Sequence, residues 1–226
     1  MNSFRWIGID ESGKGDFFGY LVIAGVVVKN DKIEILKELN VRDSKKISDN
    51  RVIYLSKIIK QNFINSLVYI SPKKFNELYK NFKNINKILA WGHSRVIKNL
   101  LKISNVNWIV IDKFTTKKYI EDFLTKEEKN VEKIEIIKGE SDMAVAAASI
   151  IARAGFLLSL KKLSKEWQIE FPKGASYIVD KIGIEFVKKY GKDNLINVSK
   201  INFKNFKKIE EGVGNLFVNF KESKNV

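Results

Sequence analysis

Two adjacent carboxylates lie inside a glycine-rich stretch, GIDESGKG, at residues 8–15. The spacing is one residue away from the P-loop signature, in which a Lys and backbone N–H groups surround phosphate and a Ser or Thr hydroxyl completes the Mg²⁺ shell. Here Gly15 replaces that hydroxyl. A carboxylate such as Asp10 or Glu11 at about 4 Å from a phosphate charge also costs roughly 4 kcal/mol at an effective dielectric constant near 20. The stretch is therefore a poor nucleoside triphosphate site, and the carboxylates need another explanation.

Four carboxylates stand where predicted strands end or helices begin: Asp10, Glu11, Asp112 and Glu140. In an open α/β sheet, functional groups gather beyond the strand ends. Carboxylates that converge there repel one another, and one or two divalent ions relieve the repulsion and form a centre able to cleave a phosphodiester.

Each of the four carboxylates has a simpler interpretation, which stays open at this point. Asp112 can cap the segment that follows it, Glu140 can favour the positive end of the next helix, and Glu11 can be a solvated turn residue. Asp10 is the hardest to explain in this way, because an acid directly after the buried run WIGI is costly without a partner.

The composition restricts which metals and partners are compatible with the chain. There is no cysteine and one histidine, His93, so a metal site must use oxygen ligands, which favour Mg²⁺ or Mn²⁺. On a helix with apolar neighbours, that histidine is more often structural than a proton shuttle. The 41 Lys and Arg residues exceed the 26 acidic residues and give a formal charge of +15. An AT-biased genome explains the many lysines, but the imbalance of charge favours a nucleic-acid partner.

The hydrophobic pattern predicts one α/β domain with a five-stranded mixed sheet flanked by helices. The predicted strands are 4–10, 20–29, 63–70, 106–111 and 131–137. The predicted helices are 51–60, 73–79, 86–103, 117–124, 141–163 and 177–190, with Ser48 or Asp49 as the cap of the first. We expect a catalytic domain at 1–205 and a tail at 206–226 whose structure the sequence does not decide.

No segment of the sequence predicts a signal peptide or a membrane span. The N-terminal residues lack an apolar signal region, and the longest apolar run, residues 17–28, is too short to cross a bilayer. We therefore expect a soluble, cytoplasmic protein.

Five blocks of the sequence, in order from about residue 5 to about residue 205, resemble the type 2 ribonuclease H family. They are GIDESGKGDFFG (8–19), RDSKKIS (42–48), LAWGHSR (89–95), VIDKF (110–114) and KGESDMAVAAASIIAR (138–153). The chain is more similar to ribonuclease HIII than to ribonuclease HII, because it has DESGKGD where the latter typically has DEAGRG. It also has Glu140 where the latter has Asp.

The resemblance implies an RNase H-like fold and endonucleolytic cleavage of the RNA strand of RNA–DNA hybrids. It implies two divalent ions, Mg²⁺ or Mn²⁺, and products with 5′-phosphate and 3′-hydroxyl ends. Carried over by motif, the catalytic and metal-binding residues are Asp10, Glu11, Asp112 and Glu140. No obligatory protein partner is implied.

The resemblance also implies which residues bind substrate. The family's glycine–basic–glycine motif falls on Gly13, Lys14 and Gly15, where glycines permit close approach of the backbone to a ribose and its 2′-hydroxyl. In the family's DSK loop we expect Ser44 or Lys45 to contact a phosphate or the DNA strand. A solvated loop lysine is the alternative for Lys45.

Two departures from the family and two competing functions accompany this interpretation. Ribonuclease HIII proteins typically carry an N-terminal substrate-binding domain, which we expect to be lost or truncated here, and Tyr20 replaces the Pro that usually follows FG. The chain could instead incise single ribonucleotides embedded in DNA, as ribonuclease HII does. A protein that binds hybrids without cleaving them is the alternative from a different class.

Overall fold

The computed structural model describes residues 4–41, 47–112, 117–137 and 139–222, and of residues 117, 118, 140 and 214–222 it describes the backbone only. The predicted substrate contacts Ser44 and Lys45 lie outside the described residues. Within them, the strands are β1 (Arg5–Ser12), β2 (Leu21–Lys29), β3 (Asn65–Ile70), β4 (Trp108–Asp112) and β5 (Glu132–Ile136). The α-helices are α1 (Ile33–Glu38), α2 (Asp49–Asn62), α3 (Pro72–Phe82), α4 (Ile85–Leu101), α5 (Lys117–Glu121), α6 (Lys126–Lys129), α7 (Met143–Trp167), α8 (Tyr177–Tyr190), α9 (Leu195–Val198) and α10 (Lys204–Glu222).

Strand β1 lies in the middle of a mixed sheet whose order is β3-β2-β1-β4-β5. β1 pairs antiparallel with β2, and β2 pairs antiparallel with β3. β1 and β4 are parallel, as are β4 and β5. Parallel neighbours need a crossover connection, which the helices between β3 and β4 and between β4 and β5 supply. The predicted five-stranded mixed sheet with flanking helices is confirmed.

Helices α7 and α4 cover opposite faces of this sheet. Side chains alternate along a strand, so Trp6 packs in the core on the α7 face, whereas Ile7 and Ile9 pack in the core on the α4 face. Gly8 lies on the α7 face, and an added Cβ there would be 2.1 Å from the Ala144 carbonyl carbon. Because Gly8 has no side chain, the first turn of α7 lies directly against β1.

The loop after β1 is held by the C-terminal part of the chain. Lys200 is fully buried, and its Nζ donates to the carbonyls of Asp16 and Gly19, at 2.7 Å each. The Gly19 N–H donates to the carbonyl of Val198, and the Lys200 N–H donates to that of Phe17. These contacts fix a loop that the sequence associates with substrate.

We expect Lys200→Met to change how stability depends on pH. Burial lowers the pKa of Lys200 from 10.5 to about 7, against a smaller opposite effect of Asp16. Between these two values the unfolded chain binds a proton that the folded chain does not, so this residue's contribution to stability rises with pH. In urea titrations at pH 6, 8 and 9.5, the free energy of unfolding of the wild type should rise relative to that of the variant. A difference that does not change with pH would contradict the lowered pKa.

Most predicted helices are present with shifted ends, and Ser48 is confirmed as the cap of α2, accepting from the Arg51 N–H. The sequence missed α1 and did not decide the tail. That tail begins within α10, so the expected boundary at 205/206 falls inside a helix. The first turns of α10 pack, since Ile209 is fully buried and the Asn205 side chain donates to Asp180.

Helix α7 is long and apolar enough to cross a membrane by length and composition. It is instead the main helix of the core, because 67% of its most apolar 18-residue stretch is buried inside the protein. Its apolar character reflects contact with β1, β2 and α2 on several sides.

Candidate active site

Asp10 and Asp112 lie on neighbouring parallel strands at the same edge of the sheet. The register pairs Ile9 of β1 with Ile111 of β4, so the next residue on each strand is one of the two acids. Parallel pairing places their carboxylates beside each other beyond two buried apolar runs. The convergence of Asp10 and Asp112, which the sequence predicted from strand ends, thus follows from the strand order.

The surroundings of Asp10 combine burial with negative charge. Burial, together with repulsion from Glu11 and from Asp112, raises the pKa of Asp10 from 3.8 to about 7. The Ser149 hydroxyl on α7 and the Glu11 N–H, 2.8 Å from Oδ1, hydrogen-bond the carboxylate and lower the pKa in part. The ionised form of Asp10 is therefore unfavourable in the protein alone, and a cation bound beside it would stabilise that form.

The strand pleat sends Glu11 to the other face of the sheet, toward α4. Its Oε2 lies 3.1 Å from Nε2 of His93, whose side chain is fully buried. Its Oε1 lies 3.9 Å from Nζ of Lys14, and the Glu11 side chain is 11% exposed. His93 is thus a direct hydrogen-bond partner of Glu11. The sequence did not predict this contact, because His93 and Glu11 are 82 positions apart.

A short 3₁₀ turn, Gly139–Ser141, brings the backbone of Glu140 to the same edge. The Gly139 N–H donates to Oδ1 of Asp112 at 3.0 Å, which ties this turn to the end of β4. Asp142 then caps α7, accepting from the N–H groups of Ala144 and Val145, and also accepts from the indole N–H of Trp6. Asp142 was missed from the sequence, although an Asp just before a helix is a common cap.

The glycine–lysine–glycine loop combines one constrained glycine with one open glycine. Gly13 has φ +90°, and a Cβ there would be 2.1 Å from the Tyr20 carbonyl oxygen, so only glycine fits. A Cβ at Gly15 would meet no atom of the described residues within 4 Å, and the residue is exposed. The Lys14 side chain is 40% exposed. This geometry suits close approach of a nucleic-acid backbone.

A group of ion pairs lies at the first residue of α2. Asp49 accepts from Arg153 of α7 and from Lys173, at 2.7 Å each. These hydrogen bonds, with that of Lys173 the stronger, lower the pKa of Asp49 although partial burial opposes them. The neighbouring Gly174 N–H donates to Asp16, so this basic group is connected to the glycine–lysine–glycine loop.

The donor set fits a hard divalent cation. Carboxylate oxygens from Asp10 and Asp112 meet at one edge, with Glu11 beside them and the Glu140 backbone tied to the same place. Among the described side chains, which do not include that of Glu140, no three acidic or histidine groups already form a metal cluster. The pleat explains this in part, because it directs Glu11 away from Asp10.

Comparisons with known proteins give the family. The family model described as Ribonuclease HII matches residues 7–206. Ribonuclease HIII of Protochlamydia amoebophila is 42% identical over 208 residues, covering 92% of this chain and 69% of that protein. Ribonuclease HIII of Phytoplasma mali is 44% identical over 207 residues, covering 89% and 71%. The crystal structure of Bst-RNase HIII in complex with Mn²⁺ matches with a TM-score of 0.87 at 29% identity, over 93% of this chain and 70% of that one.

The fold and the acidic edge, with these matches, define an endoribonuclease of the ribonuclease H class. The chain belongs to the type 2 ribonuclease H family, and the relatives named above are ribonucleases HIII. Metal dependence is the norm for this family. The family membership that the sequence motifs indicated is confirmed.

Proposed function

We propose that this ribonuclease cleaves the RNA strand of RNA–DNA hybrid tracts at a divalent-metal site held by Asp10, Glu11, Asp112 and Glu140. The side-by-side position of Asp10 and Asp112 on parallel strands is the observation that carries the proposal. The Mn²⁺ complex of Bst-RNase HIII supports a divalent ion such as Mn²⁺ or Mg²⁺. Two such ions, when bound, would activate water and stabilise the leaving oxygen, giving 5′-phosphate and 3′-hydroxyl ends.

In this proposal the residues of the chain orient the reactants. Asp10 would help to hold both ions, and Ser149 and the Glu11 N–H hold its carboxylate in position. The Gly139 N–H holds Asp112 in the same way. Positioning of this kind lowers the barrier because the groups are already in place before the reaction.

The substrate contacts are proposed for the open side of the same edge. Gly13 and Gly15 let the backbone approach a ribose, and Lys14 contacts an adjacent phosphate. Ser44 and Lys45 contact a phosphate or the DNA strand. The formal charge of +15 supports a nucleic-acid substrate, and this substrate and the absence of cysteine support a cytoplasmic location.

We expect Gly15→Ala to weaken substrate binding without lowering stability. The added methyl meets no protein atom within 4 Å, so any effect must arise from the substrate. The KM for a hybrid duplex should rise about tenfold, which corresponds to about 1.4 kcal/mol. Steady-state cleavage and thermal unfolding measured on the same preparations check this. An unchanged KM would contradict the contact with the ribose.

The function itself is tested with two duplexes of the same sequence, one with a full RNA strand and one with a single ribonucleotide in DNA. We expect metal-dependent cleavage of both duplexes, and we expect the full hybrid to be cleaved faster than the duplex with a single ribonucleotide. Faster cleavage at the single ribonucleotide would instead support the specificity of ribonuclease HII. Tight binding of the hybrid without cleavage in Mg²⁺ or Mn²⁺ would support a protein that only binds hybrids.

A further inference from the structure

His93 lies in the protein interior directly behind the acidic edge. It belongs to α4, its side chain has no exposed surface, and its Nε2 is 3.1 Å from Oε2 of Glu11. Zero exposure makes it unsuited to exchange protons with solvent or with substrate.

The packing of α4 fixes the position of this imidazole. Gly92 precedes His93, and an added Cβ on Gly92 would be 2.4 Å from Cδ1 of Ile23 in β2. The helix backbone at Gly92 therefore packs directly against the Ile23 side chain of the sheet. Buried neighbours in α4, such as Leu89 and Val96, belong to the core on the same face. The imidazole is held in place before anything binds to Glu11.

The hydrogen bond gives the two carboxylate oxygens of Glu11 different roles. An ionised carboxylate only accepts hydrogen bonds. Nε2 of His93 therefore carries the hydrogen and donates a hydrogen bond to Oε2. Oε1 then lies on the outer side, where Lys14 is 3.9 Å away. Carboxylates that bind metals are usually hydrogen-bonded by such outer partners, and loss of a partner typically lowers metal affinity or activity about 10- to 100-fold.

We infer that His93 is a positioning residue that orients the carboxylate of Glu11 for metal binding, an inference that rests on the proposed metal-binding role of Glu11. The Nε2–H···Oε2 hydrogen bond keeps one oxygen directed inward and leaves Oε1 for a divalent cation. If His93 were only a packing residue of the core, its replacement would change stability but neither kcat nor the Mg²⁺ requirement.

Two variants separate positioning from packing. His93→Leu removes the donor at similar size, whereas His93→Gln keeps an N–H that can reach Glu11. We expect the Leu variant to lower kcat about 10- to 100-fold and to raise the Mg²⁺ concentration for half-maximal activity, with little change in the KM for hybrid. The Gln variant should recover most of both losses. Val96→Ala, in the buried part of the same helix, is the control that lowers stability without changing the Mg²⁺ requirement.

A second measurement does not depend on activity or on the folding of the Leu variant. Because His93 is the one histidine in the sequence, ¹⁵N NMR of the imidazole reports on a single residue. Saturation of the free wild-type protein with Mg²⁺ should shift these resonances, and Glu11→Gln should abolish the shift. Unchanged resonances, or equal kcat and Mg²⁺ requirement in the wild type and the Leu variant, would overturn the inference. Full activity of Glu11→Gln would instead refute the proposed role of Glu11 itself.

Discussion

Asp10→Asn is expected to abolish cleavage while leaving the protein at least as stable as the wild type. In the proposed site an amide cannot replace the carboxylate that would hold the cations, and a loss of about 4 kcal/mol of transition-state stabilisation lowers kcat about 10³-fold. Stability should not fall, because the folded protein raises the pKa of Asp10 to about 7. The stabilising contribution of this residue is fully present below pH 3.8 and is lost as the pH rises through about 7. At pH 8 the neutral amide removes that penalty.

The measurements are hybrid cleavage at saturating Mg²⁺ and urea unfolding in EDTA at pH 8. Asp31→Asn is the matched control, since Asp31 pairs only with Lys29 at the surface in the described structure and should change neither quantity. Activity of the Asp10 variant within tenfold of the wild type would refute its catalytic role. A clear loss of stability would show that the ionised carboxylate is not repelled in the folded protein.

Gly8→Ala is expected to cause a large loss of stability. The new Cβ would lie 2.1 Å from the Ala144 carbonyl carbon and 2.2 Å from the Val145 nitrogen, and backbone atoms cannot rotate away. Relief requires α7 to move off β1, so we expect a loss of about 3 kcal/mol or more in the free energy of unfolding. The same movement displaces the 3₁₀ turn that carries Glu140, so cleavage should fall as well.

Gly15→Ala is the internal control, because it adds the same methyl in the same stretch without meeting a protein atom. Its free energy of unfolding should stay within about 0.5 kcal/mol of the wild type. If Gly8→Ala were equally harmless, the contact between β1 and α7 would be looser than the structure shows.

The sequence predicted the parts of the fold that depend on local pattern. Short segments rich in apolar residues identified all five strands, and the run of Ala, Ile and Leu identified α7. Strand ends were less accurate. β1 continues past Asp10 to Ser12, because Asp10 and Glu11 still pair with Ala24 and Ile23 of β2. The strand β1 therefore continues past the first acidic residue, where the sequence pattern predicted its end.

Features that depend on distant contacts were not predictable in the same way. The hydrogen bond between His93 and Glu11 joins residues 82 apart, and that between Trp6 and Asp142 joins residues 136 apart. The first turns of α10 pack because Ile209 finds a buried position, which periodicity in the tail alone does not reveal. All the proposed site roles stay predictions. They are the metal-binding roles of Asp10, Glu11, Asp112 and Glu140 and the substrate contacts of Gly13, Lys14, Gly15, Ser44 and Lys45.

The central claim is that these carboxylates hold divalent ions. It is tested most directly by anomalous diffraction near the Mn²⁺ absorption edge from crystals of the protein soaked in Mn²⁺. We expect anomalous density in contact with Asp10 and Asp112, with Glu11 and Glu140 completing the coordination. Manganese density elsewhere in the protein, with none at these two aspartates, would contradict it.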